Sequence, residues 1–119
     1  MQVRSMYHTG FTVSDIERSI AFYRDALGLT LVRQQEGTAE YLSAVTGFTD
    51  VRLKIALLKA PDGTGMLELL EYVSHPASPT ERETNRPGNG HLCFKVDDIH
   101  EACDELSRRG VRLISEPAE

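Results

Sequence analysis

The chain has 119 residues, of which 40% are hydrophobic and 26% charged, and this composition suits one soluble globular domain or two small modules sharing a core. Its formal net charge of −5 offers no basic excess for nucleic acid or anionic membranes, so we expect small molecules or proteins as partners. A signal-peptide pattern and a membrane-length apolar run are both missing, so we expect no membrane association and a cytoplasmic location.

The first clearly patterned element is a helix that begins after Ser14. Its apolar positions recur at steps of four, three and four residues, namely Ile16, Ile20, Tyr23 and Leu27. Ser14 is placed to cap the helix, and the Glu17 side chain to accept a hydrogen bond from the Ser14 amide in return, an arrangement known as a capping box. Gly28 supplies the left-handed stop. The pattern therefore predicts one amphipathic helix that ends at Gly28.

Three strands are predicted after this helix, at residues 29–35, 51–58 and 66–73, because turn residues separate three apolar runs. With a strand before the helix they form a βαβββ module over residues 1–73. Residues 74–90 contain three prolines and two glycines among polar residues, which indicates a surface linker.

A second copy of the opening segment follows the linker. Residues 8–16 (HTGFTVSDI) align without gaps to residues 91–99 (HLCFKVDDI), with the shared pattern H-x-x-F-x-V-x-D-I. In the second copy Asp97 or Asp98 caps a helix. The inner stripe of that helix is formed by Ile99, Ala102, Cys103 and Leu106, and Gly110 and a strand at residues 111–115 follow it. The same structural unit thus occurs twice.

The predicted fold class is therefore α+β, a single domain over residues 1–119 made of paired βαβββ modules. Module two covers residues 91–119 and lacks two strands. His8 and His91 are 83 positions apart, which places the counterpart of Glu68 near position 151, beyond Glu119. We therefore expect either a longer natural chain or a second copy that pairs with the incomplete sheet edge.

Strand alternation predicts which side chains share a face of the sheet. Phe11 and Val13 should pack against the helix, which leaves His8, Gly10 and Thr12 on the opposite face. In the second copy the inward residues would be Leu92, Phe94 and Val96, and the opposite face would carry His91, Cys93 and Lys95. Each histidine is therefore predicted to lie on the face of its module that is opposite the helix.

The third predicted strand turns Glu68 to the same open face. Its neighbours Leu67, Leu69 and Val73 are expected under the helix, so Glu68 would lie among the apolar side chains of Met66, Leu70 and Tyr72. A carboxylate in such surroundings needs a partner. Two imidazoles and one carboxylate from three strands suit a divalent cation, with open positions for water or substrate.

Other polar residues have simpler interpretations. A strand histidine can also be a surface or hydrogen-bonded residue, and the repeat is what favours metal ligation. We expect Glu71 to be hydrated at a sheet edge, and His75 and His100 to be bystanders. We expect Cys93 to be a small, partly buried filler. Linker residues Arg82 and Arg86 are either solvated or grip an anionic substrate tail.

Three segments together resemble a known family: HTGFTVSDIERSIAFY at residues 8–23 with LGL at 27–29, LELLEY at residues 67–72, and GHLCFKVDDI at residues 90–99. They are similar to the vicinal oxygen chelate superfamily of glyoxalase, bleomycin resistance and dioxygenase proteins. The nearest likeness is to glyoxalase I and methylmalonyl-CoA epimerase. The resemblance spans nearly the whole chain and implies paired βαβββ modules that curl into a cleft.

The resemblance also implies a metal site whose ligands lie on the first and last strands of each module. His8, Glu68 and His91 match three of these positions, and the fourth, a glutamate, falls beyond the chain. One divalent ion is implied, which nitrogen and oxygen ligands allow to be nickel, cobalt, manganese, zinc or iron. We expect a homodimer, since the family usually pairs modules across chains.

The ligand set favours a glyoxalase-type reaction, because the epimerase commonly has glutamine where this chain has Glu68. The leading hypothesis is a metal-dependent lyase or isomerase that acts on vicinal oxygens through an enediolate, with either Glu68 or the fourth-ligand glutamate as the base. One alternative is an extradiol-type iron(II) dioxygenase, although that group has its carboxylate in module two. The other is a non-catalytic module that binds a small molecule.

Overall fold

The computed structural model describes residues 1–79 and 83–118, and the chain forms two compact units, Met1–Pro79 and Thr80–Glu119. The first unit contains, in chain order, β1 (Thr9–Thr12), α1 (Ile16–Ala21) with a π-helical turn (Phe22–Ala26), β2 (Thr30–Gly37), α2 (Glu40–Thr46), β3 (Leu53–Lys59) and β4 (Met66–Tyr72). The second unit contains α3 (Ile99–Arg108). Among the described residues, no helix has the length and apolarity to cross a membrane.

The four strands of the first unit form one sheet in the order β1-β4-β3-β2. β1 runs parallel to β4, and the β4–β3 and β3–β2 pairs are antiparallel. The first strand of the unit therefore lies beside its last. The α+β class predicted from the sequence is confirmed, and the βαβββ order of module one is present with an additional helix, α2. The three strands predicted at residues 29–35, 51–58 and 66–73 are found within two residues of those bounds.

The start of α1 differs from the predicted capping box. Asp15, not Ser14, is the N-cap, and its Oδ1 accepts a hydrogen bond from the Arg18 amide at 3.1 Å. Glu17 does not return a bond to the cap, because its Oε1 accepts from the Gln34 side-chain amide at 2.6 Å. The capping-box prediction was wrong by one residue, and the aspartate supplies the acceptor that the helix start requires.

The end of α1 is also more irregular than predicted. Residues after Ala21 continue as a π-helical turn, in which the Leu27 amide bonds to the Phe22 carbonyl at 3.2 Å. The predicted single regular helix therefore gains one residue in its last turn. Gly28 has φ 76, which confirms the predicted left-handed stop, since this backbone conformation is costly for residues with a β-carbon.

The sheet packs α1 on one face, and this face holds the main core. Its buried residues are Ile16, Ile20, Leu29, Ala56, Leu58, Leu67 and Leu69, with Phe11, Val13, Tyr23, Leu27 and Leu31 packed around them. Burial here raises the pKa of the Tyr23 phenol from its ordinary value of 10.0. The predicted inward positions Phe11, Val13, Leu67 and Leu69 are thus confirmed. Val73 is 42% exposed, so its predicted place under the helix was wrong, because β4 ends before it.

The opposite face of the sheet carries a smaller core beneath α2. Leu42, Val51 and Leu53 are buried there, and Ile55, Leu70 and Tyr72 pack against them. The helix α2 was not predicted from the sequence, and it has a single buried side chain, Leu42. An element this short shows too little apolar periodicity to be recognised from sequence.

In the second unit, α3 begins and ends as predicted, but the strands predicted around it are not formed. Asp98 is the N-cap, since its Oδ1 accepts from the His100 and Glu101 amides at 2.9 and 3.1 Å. Residues 91–96 and 111–115 are not in strands, and Leu92, Phe94 and Val96 are exposed, which corrects their predicted inward packing. A strand exists only with a hydrogen-bonded neighbour, and no sheet is found within residues 83–118. The division into modules and linker remains a prediction.

Candidate metal centre

The open face of the sheet brings together His8 and Glu68. β1 and β4 pair in register, with Gly10 opposite Glu68, and His8 immediately precedes β1. The distance between His8 Nε2 and Glu68 Oε1 is 3.5 Å, and the side chains are 32% and 22% exposed. The structure therefore joins two of the three predicted ligands in a partly buried, solvent-accessible position.

Gly10 leaves space beside the Glu68 carboxylate. A β-carbon at position 10 would lie 3.7 Å from Glu68 Oε1 and 4.0 Å from the Glu68 carbonyl oxygen. Such contacts are ordinary for one carbon atom, but the outer atoms of a larger side chain would cover the carboxylate. The glycine thus keeps one side of Glu68 open to a ligand.

The chemistry and spacing of the two donors fit a divalent cation. Imidazole nitrogen and carboxylate oxygen both bind zinc-like ions at about 2.1 Å, so two ligands of one tetrahedral ion lie about 3.4 Å apart. The observed 3.5 Å matches that separation. Residues 1–79 and 83–118 contain no group of three or more His, Cys, Asp or Glu side chains that could hold an ion. The third predicted ligand, His91, lies in the second unit, in the exposed segment before α3.

The His8 ring has a neighbour that the sequence pattern does not indicate. The ring of Tyr7 meets the imidazole edge-on, with the ring centroids 5.2 Å apart. Edge-on contacts of this kind are a favoured arrangement of two rings. The pattern H-x-x-F begins at His8, so the preceding tyrosine carried no signal of this contact.

Glu71 has a structural role on the face opposite Glu68. Its Oε1 accepts a hydrogen bond from the Ile16 amide at 3.2 Å, and its Oε2 lies 3.5 Å from Lys54 Nζ. Its side chain is only 17% exposed. The prediction that Glu71 is hydrated at an edge was therefore wrong, because α1 begins directly above this position and needs acceptors for its first amides.

The remaining polar candidates lie outside the site. His75 bonds to Ser74 Oγ at 2.9 Å and packs beside Phe48, with ring centroids 5.0 Å apart. Cys93 is exposed, so its predicted burial was wrong for a segment without a sheet around it. Arg86 forms an ion pair with Glu83 at 2.6 Å. Arg82, the other predicted anion-binding residue, lies outside the described residues.

An open depression of about 580 Å³ lies beside α2, and neither His8 nor Glu68 lines it. Its lining residues are Thr38, Glu40, Ser43, Ala44, Gly47, Phe48, Thr49 and Asp50. This set mixes two carboxylates with one aromatic ring and includes no histidine or cysteine. The depression therefore offers carboxylates but no imidazole, which the predicted ligand set also requires.

A four-stranded α+β unit with a histidine and a glutamate paired on its open face defines a glyoxalase-like module. The family model of the Glyoxalase/Bleomycin resistance protein/Dioxygenase superfamily matches residues 5–119, and the chain belongs to this superfamily. The resemblance noted from the sequence is thereby confirmed.

Individual relatives agree with this assignment. The chain is 30% identical over 109 residues to a lactoylglutathione lyase of Haemophilus influenzae, covering 92% of this chain and 70% of the relative. It is 28% identical over 113 residues to a lactoylglutathione lyase of Neisseria meningitidis, covering 93% and 70%. A crystal structure of a glyoxalase family protein from Bacillus cereus superposes with a TM-score of 0.89 at 26% identity, covering 98% of this chain and 78% of that one.

Proposed function

We propose that this chain is a metal-dependent lyase or isomerase of the glyoxalase type, acting through an enediolate on a substrate with vicinal oxygens. The observation that carries the proposal is the separation of 3.5 Å between His8 Nε2 and Glu68 Oε1 on an open sheet face. The similarity to proteins named lactoylglutathione lyase supports an enzyme of this kind.

His8, Glu68 and His91 are the proposed ligands of one divalent ion, which is nickel, cobalt, manganese, zinc or iron. His91 would come from the same chain or from a second copy in a homodimer. When bound, the ion would withdraw electron density from two adjacent substrate oxygens and stabilise the charge left by proton removal. A cytoplasmic location also remains a prediction.

Glu68 is the proposed catalytic base. In a hemithioacetal of a 2-oxoaldehyde, its carboxylate would take the proton from the thiol-bearing carbon and return it to the neighbouring carbonyl carbon, while the hydroxyl proton of the first carbon passes to the oxygen of the second. The first carbon is oxidised to a thioester carbonyl and the second is reduced to an alcohol, so no external oxidant is needed. The space that Gly10 leaves beside Oε1 would let this carboxylate reach a bound substrate.

Metal content tests the ligand set directly. Protein treated with chelator and reloaded would be compared by elemental mass spectrometry for the parent, His8→Ala, Glu68→Gln and His91→Ala. His75→Ala and Glu71→Gln are matched controls, because the first is a histidine of the same unit outside the site and the second a glutamate of the same strand. We expect near-stoichiometric metal in the parent and controls, and loss in the three ligand variants.

Turnover of hemithioacetals by the reloaded protein tests the reaction. Glu68→Gln should lower turnover strongly, whereas Glu71→Gln in folded protein should not. Undiminished turnover in Glu68→Gln would show that Glu68 is not the catalytic base. Oxygen consumption with a catechol and iron(II) would favour the dioxygenase alternative, and failure to bind any divalent metal would favour a small-molecule-binding module.

A further inference from the structure

The helix α2 covers one end of the open sheet face that carries Glu68. Its one buried side chain, Leu42, lies in the smaller core with side chains from two cross-strand pairs of β3 and β4. These pairs are Leu53 with Tyr72 and Ile55 with Leu70. The next pair along the strands is Leu57 with Glu68. Two residues of a strand span about 7 Å, so the covered rows lie directly beside the proposed site.

α2 is held to the sheet more weakly than α1. α1 buries Ile16 and Ile20 and has extensive backbone contact with β3 and β4, whereas α2 buries a single side chain and has no comparable backbone contact with a strand. Glu40 on α2 and Asp50 in the loop after it form no ion pair within residues 1–79 and 83–118. Segments with so few buried contacts open at a lower free energy than the whole domain.

Both ends of α2 are suited to act as hinges. The N-cap residue, Ala39, makes no side-chain hydrogen bond to the helix, and the helix ends at Gly47, whose φ is 79. Hinges are a few terminal or loop residues that absorb a change in backbone angles. The depression of about 580 Å³ is lined by residues of α2 and of its flanking loops. The segment therefore has open space on one side, into which it can move without displacing another element.

Three aromatic rings join the C-terminal end of this segment to the end of β4. The Phe48 ring meets the Tyr72 ring edge-on, with the centroids 5.6 Å apart, and its centroid lies 5.0 Å from that of the His75 ring. We call these three residues the ring cluster. Phe48 directly follows Gly47, so the ring cluster closes the C-terminal hinge of α2. Because Phe48 is 45% exposed, its contacts can break without opening the main core.

The backbone around His75 holds its ring against Phe48. His75 has φ 54, a left-handed conformation that is costly for a residue with a β-carbon. Ser74 Oγ lies 2.9 Å from His75 Nδ1 and accepts a hydrogen bond from the Arg52 amide at 2.7 Å. The turn after β4 is therefore anchored to the residue that precedes β3. Strain of this kind persists only where its surroundings fix it, and it is frequent in segments that switch between two positions.

We propose that residues 38–50, which include α2, form a hinged cover of the open face, and that the ring cluster holds this cover closed. In the open form Ile55 and Leu70 are exposed beside Glu68, so the site admits a larger apolar substituent than in the closed form. The opening itself does not depend on any reaction, whereas its effect on substrates rests on the proposed glyoxalase-type function.

Native-state hydrogen exchange of the full chain tests whether the cover opens. Exchange would be measured at low urea concentrations for the parent, Phe48→Ala, His75→Ala and Tyr41→Ala. Tyr41 is a matched control, because it is an exposed aromatic residue of α2 outside the ring cluster. In the parent the α2 amides should exchange with little dependence on urea, whereas the β3 amides should show the steep dependence of global unfolding.

The variants should change the exchange of α2 in proportion to the ring contacts that they remove. Phe48→Ala loses both contacts and should accelerate exchange of the α2 amides about tenfold, and His75→Ala loses one and should do so about threefold. The cover is refuted if the α2 amides of the parent exchange only by global unfolding, or if both variants leave their exchange unchanged. An equal acceleration in Tyr41→Ala would refute the role of the ring cluster.

Steady-state kinetics test the consequence for substrates. For a hemithioacetal whose aldehyde carries an aryl group, Phe48→Ala should lower KM by up to about tenfold with little change in kcat, because the open form that binds it is more populated. For one that carries a methyl group, KM should not change. Equal effects on the two substrates would overturn the link to substrate size. A metal-loaded parent without turnover would refute the proposed function, and the exchange measurements would still decide whether α2 opens.

Discussion

Glu71 allows the stability of the fold to be tested separately from the site, because it lies on the same strand as Glu68 and its side chain points to the opposite face. Replacing Glu71 with alanine removes the acceptor of the Ile16 amide, at 3.2 Å, and leaves that partly buried donor without it at the start of α1. Glu68→Ala removes only the contact to His8 on the open face. The two substitutions should therefore separate stability from function.

The contacts of Glu71 set the expected magnitude. A hydrogen bond to a charged group contributes about 1.5–3 kcal/mol to the free energy of unfolding. The contact with Lys54 adds little, because that lysine is 37% exposed and such pairs contribute about 0–1 kcal/mol. We expect Glu71→Ala to lower the free energy of unfolding by about 2 kcal/mol, which is about 8 °C in melting temperature for a chain of this size.

Thermal and urea unfolding followed by far-ultraviolet circular dichroism would measure these differences. Glu71→Gln should lie between the parent and Glu71→Ala, since the amide oxygen can still accept from Ile16 but carries no charge. Glu68→Ala should stay within about 0.5 kcal/mol of the parent. Hydrogen exchange at the Ile16 amide should accelerate in Glu71→Ala. Unchanged exchange and an unchanged melting temperature in that variant would refute the capping role.

Two further substitutions test local features. Gly10→Leu should lower metal affinity and turnover because its side chain would cover Glu68, whereas Gly10→Ala should keep both; equal behaviour would contradict the space argument. Asp98→Ala should reduce the helical circular dichroism of α3. The Glu101 and His100 amides lower the pKa of Asp98 below its ordinary 3.8, so the difference from the parent should be full at about pH 6 and vanish as the pH falls through that lowered pKa. A difference that persists in acid would contradict the capping interpretation.

Features set by local pattern were predictable from the sequence. Successive side chains of a strand point to opposite faces of the sheet. The sequence therefore predicted that Phe11 and His8 lie on opposite faces, and that Leu67 and Glu68 do so as well. The left-handed stop at Gly28 was predictable for the same reason, since it depends on the backbone of one residue.

Features that depend on distant partners were not predictable in this way. Glu71 lies 55 positions from Ile16, and nothing in the local pattern of β4 indicates that α1 begins above it. Residues 91–96 repeat the pattern of β1, yet they form no strand, because a strand is defined by its hydrogen-bonded neighbour as well as by alternation. The pairing of β1 with β4 likewise required the structure.

That pairing links the two glutamates of β4. Beyond the end of β1, the Val13 amide bonds to the Leu70 carbonyl at 2.8 Å, and the Ile16 amide to Glu71. These contacts fix β1 against β4 in a single register, and the same register places Gly10 beside Glu68 and His8 within reach of its carboxylate. Since a slip of one residue would turn the histidine to the other face, the backbone pairing of this register positions the proposed ligand pair. The bond to Glu71 secures the start of α1 on the other face, so a loss of this bond should cost stability and leave the ligand pair in register.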